Sequence, residues 1–300
     1  MERFPVLLRG AVQITPASVR YSVVAEGPNA IGTVTSGHQE VDAAAGGFDR
    51  VEAAVEDGVR AVRESGAETV EVFVAPELKG SRVAGLLAVR ARRLGLGKVR
   101  FTGTGASAAA SFISRTGDLG FDPDEEGQAD HSEPPCGVLG IGHHSVGLAV
   151  GHPGRHPDWI GSRPVGVARL AERSRISDPP EPAQLAAVRS AVERALGGFA
   201  CPAFGSLVSV SDFSLATRNV IGRDSADAVL LGEVLDSFTG MTSDEISART
   251  GLGPVLSPRF TIALVVQSAA ARTFDTVVIP RDPDPADFGR VLAGLSDVGV

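Results

Sequence analysis

The sequence predicts an α/β protein made of two similarly built domains with a cleft between them. Three observations carry that prediction. A pattern of three short strand-like runs followed by helix, strand and helix occurs twice along the chain. An acidic stretch, punctuated by Gly and Pro and without an apolar period, separates the two occurrences. A hydrophobic content of 43% with 36 Gly gives ample material for buried cores and rules out wholesale disorder.

The first domain is expected over residues 1–116. Its strand-like runs are Val6–Ile14, Val19–Glu26 and Ala30–Gly37. Val51, Val55, Val59 and Val62 return at helical spacing and predict a helix over Phe48–Ser65. A strand (Thr69–Ala75), a helix (Ser81–Leu94) closed by Gly95 and Gly97, a strand (Val99–Thr102) and a short helix (Ala106–Ser114) follow. Residues 117–135, which include Asp118, Asp122, Asp124, Glu125 and Glu126, read as a mobile connector. The second domain, residues 136–300, opens with the runs Gly137–Ile141, Ser145–Gly151 and Asp158–Val165, joined by tight Gly/Pro turns. Leu185, Val188, Val192 and Leu196 define one face of a helix over Pro182–Leu196, and the strand Leu207–Ser211 comes next. Helices over Ala226–Phe238, Ser243–Arg249 and Pro258–Thr273, a strand at Thr276–Ile279 and a helix over Pro285–Leu295 complete it. Thr242-Ser243-Asp244-Glu245 has the acidic first turn of a helix start.

Composition narrows the function. The longest apolar stretches, such as Thr261–Val266, fall far short of the about 20 residues that a bilayer requires. The start, Met1-Glu2-Arg3-Phe4-Pro5, has neither the apolar region nor the cleavage site of a signal peptide. Cys136 and Cys201 cannot build a disulfide framework, and a reducing cytoplasm is the expected location. A net charge of −8 argues against nucleic acid as a partner, because nothing global attracts a phosphate backbone, yet it allows a small anion in a local pocket. Only Lys79 and Lys98 are lysines among the basic residues, a habit of genome composition.

Two hairpin turns are candidate anion cradles, Gln13-Ile14-Thr15-Pro16-Ala17-Ser18 and Gly140-Ile141-Gly142-His143-His144-Ser145. Small residues let the backbone approach an anion, and successive amides make a positive concavity. A Gly-containing turn is also simply a turn.

Further motifs carry a resemblance. Pro164-Val165-Gly166-Val167-Ala168-Arg169-Leu170-Ala171-Glu172-Arg173, followed by Ser177-Asp178-Pro179-Pro180 and a helix, resembles the Gly-Ala-Val-Arg-Leu-Thr-Glu segment and Ser-Asp-Pro-Pro linker of the exopolyphosphatase and guanosine-pentaphosphate phosphohydrolase (Ppx/GppA) family. Val12–Val24 is similar to that family's first phosphate loop, Val138–Gly151 to its second, and Gly240–Ile279 to its helix-strand ending. The resemblance implies two actin-like (ribonuclease H-like) α/β domains with an interdomain cleft. It places Ser18 and Arg20 of the first hairpin, Gly142 and Ser145 of the second, and Arg169 against a ligand.

The departures from the family are chemically consistent. Where its first loop reads Asp-Ile-Gly-Ser-Asn-Ser, the acid is Gln13, the glycine is Thr15, and Pro16, which has no N–H, follows. Where its second loop reads Asp-Ile-Gly-Gly-Gly-Ser-Thr-Glu, the acid is Gly140, two glycines are His143 and His144, and the last pair is Val146-Gly147. The family's catalytic glutamate falls on Ala106, its Gly-Gly-Thr loop on Ser211-Asp212-Phe213-Ser214, and its Thr-Ser-Ala-Leu-Arg segment on Ala75-Pro76-Glu77-Leu78-Lys79. Phosphoryl transfer needs carboxylates for a divalent cation and a base to orient water. Gln13, Gly140 and Ala106 supply neither.

Five of the six histidines lie between His131 and His156, near Cys136 and Asp158. A single metal site is not expected: His143-His144 and His152/His156 flank a strand about 20 Å long. His152 and His156 read as a solvated turn. His143 and His144 occupy the place where the resembling enzymes hold phosphate, and are the candidate catalytic or anion-contacting pair; the alternative is drift in a loop released from phosphate. Cys136 is either a thiolate nucleophile or a buried strand residue. Arg163, Arg169, Arg173 and Arg175 are a local cationic group, and Arg90, Arg92, Arg93, Lys98 and Arg100 a solvated helix end and strand edge.

The expected function is a divergent Ppx/GppA-like pseudo-phosphatase that binds a phosphate-bearing ligand or a protein partner, a second copy included, with no cofactor and no metal. The competing readings are an active phosphohydrolase on polyphosphate or guanosine pentaphosphate, and an enzyme with different chemistry around His143 and His144.

Overall fold

The computed structural model describes residues 7–26, 31–41, 43, 48–75, 78, 81–93, 99–101, 107–109, 111–112, 134–153 and 156–281. Residues 117–133 of the connector expected over 117–135, and the terminal helix expected over Pro285–Leu295, lie outside the described residues. The described residues divide into two compact units, 7–101 and 107–281.

In unit 1, β1 (Leu7–Ile14), β2 (Ser18–Glu26) and β3 (Ile31–Glu40) form an antiparallel meander, α1 (Phe48–Glu64) crosses to β4 (Thr69–Val74), and α2 (Arg82–Arg93) leads to β5 (Val99–Phe101). The sheet order is β3-β2-β1-β4-β5, with β4 and β5 parallel to β1. Alternate strand residues (Val12, Ile14, Val19, Val23, Val72, Val74) meet the valine stripe of α1 and Val83, Ala84 and Leu87 of α2. The stripe lies on one face because residues three to four apart superimpose on a helix.

Unit 2 repeats the topology. Its strands are β6 (Cys136–Ile141), β7 (Val146–Gly151), β8 (Trp159–Arg163), β9 (Ser206–Val210) and β10 (Val278–Arg281), ordered β10-β9-β6-β7-β8. Two helices that the sequence pattern did not resolve appear here: α3 (Val167–Ser174), immediately after β8, and α5 (Ser214–Ile221), immediately after β9. Both are eight residues long, too short for a repeating stripe to stand out. The others are α4 (Pro182–Gly197), α6 (Ala228–Phe238), α7 (Ser243–Thr250) and α8 (Phe260–Thr273).

Helix α8 is the core of this unit. Every residue from Phe260 to Ala271 is buried, and the helix packs against α4 and α6. Among the described residues no helix is long and apolar enough to cross a membrane. Leu139, Ile141, Leu148, Val150 and Leu207 join it from one sheet face; Cys136, Val138, Ala149, Val208 and Val210 face the other way, against Ala108 and Phe112. Ala108 and Phe112, expected with the first domain, therefore pack on the sheet of the second unit.

The start of α7 is as the sequence predicts. The Thr242 amide donates to Glu245 Oε2 at 2.8 Å, and the Glu245 amide donates to the Thr242 hydroxyl at 3.3 Å. These bonds from the Thr242 backbone and hydroxyl hold the Glu245 carboxyl below its ordinary range.

Candidate functional site

In a sheet of this kind the carboxyl ends of neighbouring parallel strands are where ligands bind, because the connections diverge there. In unit 2 those strands are β6 and β9, paired in parallel with Gly140 beside Val210. The β6–β7 turn, Gly142–Ser145, and the turn after β9, Ser211–Phe213, emerge there side by side.

The β6–β7 turn is fastened to the start of α3. Its own closure is the Gly142 amide donating to Ser145 O at 3.0 Å. The Val167 amide then donates to Gly142 O at 3.1 Å, and the Ala168 and Arg169 amides both donate to His143 O, at 2.8 and 3.1 Å. The first amides of a helix lack partners within it, and here the turn supplies them. Gly166 makes this approach possible: a Cβ there would overlap backbone atoms of His143, His144 and Ser145. Gly142, Ser145 and Arg169 are thus gathered with both histidines, Arg169 half-buried in the first turn of α3.

The two histidines occupy unlike places. His143 is buried, 5% exposed, with Nε2 at 3.6 Å from Asp212 Oδ2 in the turn after β9. His144 is half-buried, and its imidazole has no hydrogen-bond partner among the described residues. His152 and His156 stand at the other end of β7. Among the described residues, no three His, Cys, Asp or Glu side chains cluster closely enough to hold a metal ion.

The turn after β9 is closed by hydroxyls. Ser211 Oγ and Ser214 Oγ lie 3.0 Å apart, the Ser211 amide donates to Ser214 Oγ at 3.1 Å, and the Phe213 amide donates to Ser211 Oγ at 3.3 Å. Asp212 was missed as a functional residue. Its sequence signal was only its place after a strand; its nearness to His143 depends on β9 lying next to β6.

The first hairpin, in unit 1, is sealed by the same device. Thr15 Oγ1 and Ser18 Oγ are 2.9 Å apart, and Thr15 Oγ1 accepts from the Ser18 amide at 2.9 Å and the Ala17 amide at 3.3 Å. The Thr15 amide donates to Ser18 O at 2.8 Å, and Pro16 has no amide. From outside, the Val41 and Ala43 amides donate to the carbonyls of Ala17 and Pro16 at 2.8 and 2.9 Å. Ser18 is therefore buried with its hydroxyl against Thr15. Arg20 is buried on β2 between Gln13 of β1 and His38 of β3.

The resemblance implies a divalent cation, and the matched positions in each unit can be compared with what such an ion takes as ligands. Gly140 offers no side chain, and among the described residues a Cβ there would meet only Gly147 O, at 3.9 Å. Gln13 offers a neutral amide, and among residues 13–18, 140–145 and 211–214 Asp212 carries the one carboxylate.

The remaining conspicuous residues are structural. Asp178 Oδ1 accepts from the Ser243 amide at 2.8 Å at the start of α7, and Gln184 Oε1 accepts from the Ser177 and Glu181 amides at 3.2 and 2.9 Å. The Ser-Asp-Pro-Pro stretch is thus a clasp joining α3, α4 and α7. Cys136 is a buried strand residue whose thiol burial pushes up to about 11, so it is not a thiolate near neutral pH. Arg90 pairs with Glu52 and Arg100 with Glu71, each at 2.9 Å, and Arg163 stacks 4.5 Å above the Phe199 ring.

No family model and no curated protein matches this sequence. Solved structures do. The Ppx/GppA family member of Aquifex aeolicus superposes with a TM-score of 0.76 at 15% identity, over 99% of this chain and 100% of that one. An exopolyphosphatase of Cytophaga hutchinsonii gives a TM-score of 0.73 at 14% identity, over 96% and 98% of the two chains. An exopolyphosphatase-like protein gives 0.76 at 15% identity, over 96% and 99%. With the three-strand pattern repeated in both sheets, the chain has the two-unit α/β fold of the Ppx/GppA structures.

Proposed function

We propose that this chain binds a phosphate-bearing or similar anionic ligand at the carboxyl end of the unit 2 sheet and does not hydrolyse it. The observation that carries this reading is the sealed first hairpin, whose amides already donate to Thr15 and Ser18. Amides so engaged are not available to an anion. Neither Gln13 in unit 1 nor Gly140 in unit 2 supplies a carboxylate, which supports the same reading, since phosphoryl transfer rests on a carboxylate-held cation. The reading assigns the anion to His144 and Arg169 beside the turn held by Gly166.

The test is phosphate release from polyphosphate and from guanosine pentaphosphate with Mg²⁺, run beside a melting screen of the same compounds. The expected result is no release above buffer and a raised melting temperature with at least one polyphosphate or nucleotide. Saturation at about 100 times Kd is worth about 2.7 kcal/mol, or about 5–10 °C for a unit of this size. Sustained Mg²⁺-dependent turnover overturns the reading.

A further inference from the structure

We propose that the adjacent histidines divide the work: His143, oriented by Asp212, is the strut that ties the β6–β7 turn to the turn after β9, and His144 is the side chain that meets the anionic ligand. The second half rests on the binding function proposed above.

The argument begins with what holds each ring. His143 is anchored at its backbone, where its carbonyl accepts from Ala168 and Arg169 at 2.8 and 3.1 Å. Its ring Nε2 faces the Asp212 carboxylate at 3.6 Å, within ion-pair reach and beyond hydrogen-bond length. With 5% of the residue exposed and Asp212 at 14%, the pair lies between two turns and the start of a helix. A carboxylate beside one ring nitrogen sets which nitrogen carries the proton and which way the ring faces. A ring so held joins three elements and has little surface left for a ligand.

His144 is one residue along and has the opposite surroundings. It is half-buried, and its imidazole is unpartnered among the described residues. Arg169, half-buried, stands in the first turn of the helix whose amides close on this turn, its own amide donating to His143 O at 3.1 Å. An imidazole N–H that no described protein group engages suits a phosphate or carboxylate oxygen.

Three measurements on the full chain test this. Carbethoxylation of the wild-type protein with diethyl pyrocarbonate, followed residue by residue by mass spectrometry, is expected to label His144 at least tenfold faster than His143; equal rates overturn the division, whatever the ligand. Ring ¹⁵N spectra are expected to show the His143 tautomer pattern altered in Asp212→Asn and restored in Asp212→Glu; an unchanged pattern in Asp212→Asn overturns the orienting role. Finally, His144→Ala is expected to melt within about 1 °C of wild type and to lose the tripolyphosphate-induced shift; a full shift in that variant overturns the ligand role. If wild type itself shows no shift with any anion, the binding function fails and takes the His144 half with it, while labelling and spectra still decide the His143 strut.

Discussion

Gly166→Ala isolates the contact that builds the candidate site. Gly166 has φ −75° and ψ 163°, an extended conformation open to any residue, so the substitution introduces no backbone strain of its own. The added methyl would overlap backbone atoms of His143, His144 and Ser145, and backbone cannot swing aside as a flexible side chain can. Relief requires the turn and the start of α3 to separate. That puts at risk the three bonds from Val167, Ala168 and Arg169 to Gly142 O and His143 O. At a net of about 1 kcal/mol each, the cost is about 3 kcal/mol. For a unit of this size that lowers the melting temperature by about 6–12 °C. Gly140→Ala is the internal control, since its methyl would meet only Gly147 O at 3.9 Å. It is expected within about 1 kcal/mol of wild type, on the stabilising side, because alanine restricts the unfolded chain. Calorimetric melts of the two variants and wild type decide the matter. A Gly166→Ala protein as stable as Gly140→Ala refutes the assigned role of the Gly166 contact.

Other variants and conditions probe the remaining features. Thr15→Ala removes the acceptor of the buried Ala17 and Ser18 amides and is expected to lower stability by about 2 kcal/mol in urea melts, with the larger share recovered by Thr15→Ser. Cys136, its thiol raised to about 11 by burial, is expected to stay unmodified by iodoacetamide at pH 8 in the folded chain while half-exposed Cys201 reacts; rapid labelling of both in native protein contradicts the burial. The Glu245 carboxyl is depressed by its bonds from Thr242, so its contribution is present above the ordinary carboxylate range and is lost as pH falls through its lower folded value. An acid titration of helix content is therefore expected to show a smaller loss for Glu245→Gln than for wild type below about pH 4.5.

Much of the fold was legible in the one-dimensional pattern. Valines at 51, 55, 59 and 62 and the apolar run of α8 announce their elements because burial on one face imposes a period. The repeat of three strands was visible twice and reappears as one sheet order twice, β3-β2-β1-β4-β5 and β8-β7-β6-β9-β10. Short elements escaped: α3 and α5 have eight residues each, and the strand expected at Thr276–Ile279 begins only at Val278. Of the candidate site, the glycine and histidine types at the second hairpin were readable, and so was the absence of an amide at Pro16. The hydroxyl seals at Thr15–Ser18 and Ser211–Ser214 were not, because Ser and Thr also serve as solvated turn residues.

Residue chemistry belongs to the sequence. Gly140 has no side chain and Gln13 carries no charge wherever the chain places them, and Pro16 cannot donate in any fold. Neighbourhood belongs to the tertiary structure. Residue 143 meets residue 212, 69 positions away, only because β6 and β9 pair in parallel, and the two adjacent histidines acquire different surroundings only because α3 docks on their turn. Hydrogen bonds and ion pairs act over a few ångströms, so sheet order, and not distance along the chain, determines which groups form a site.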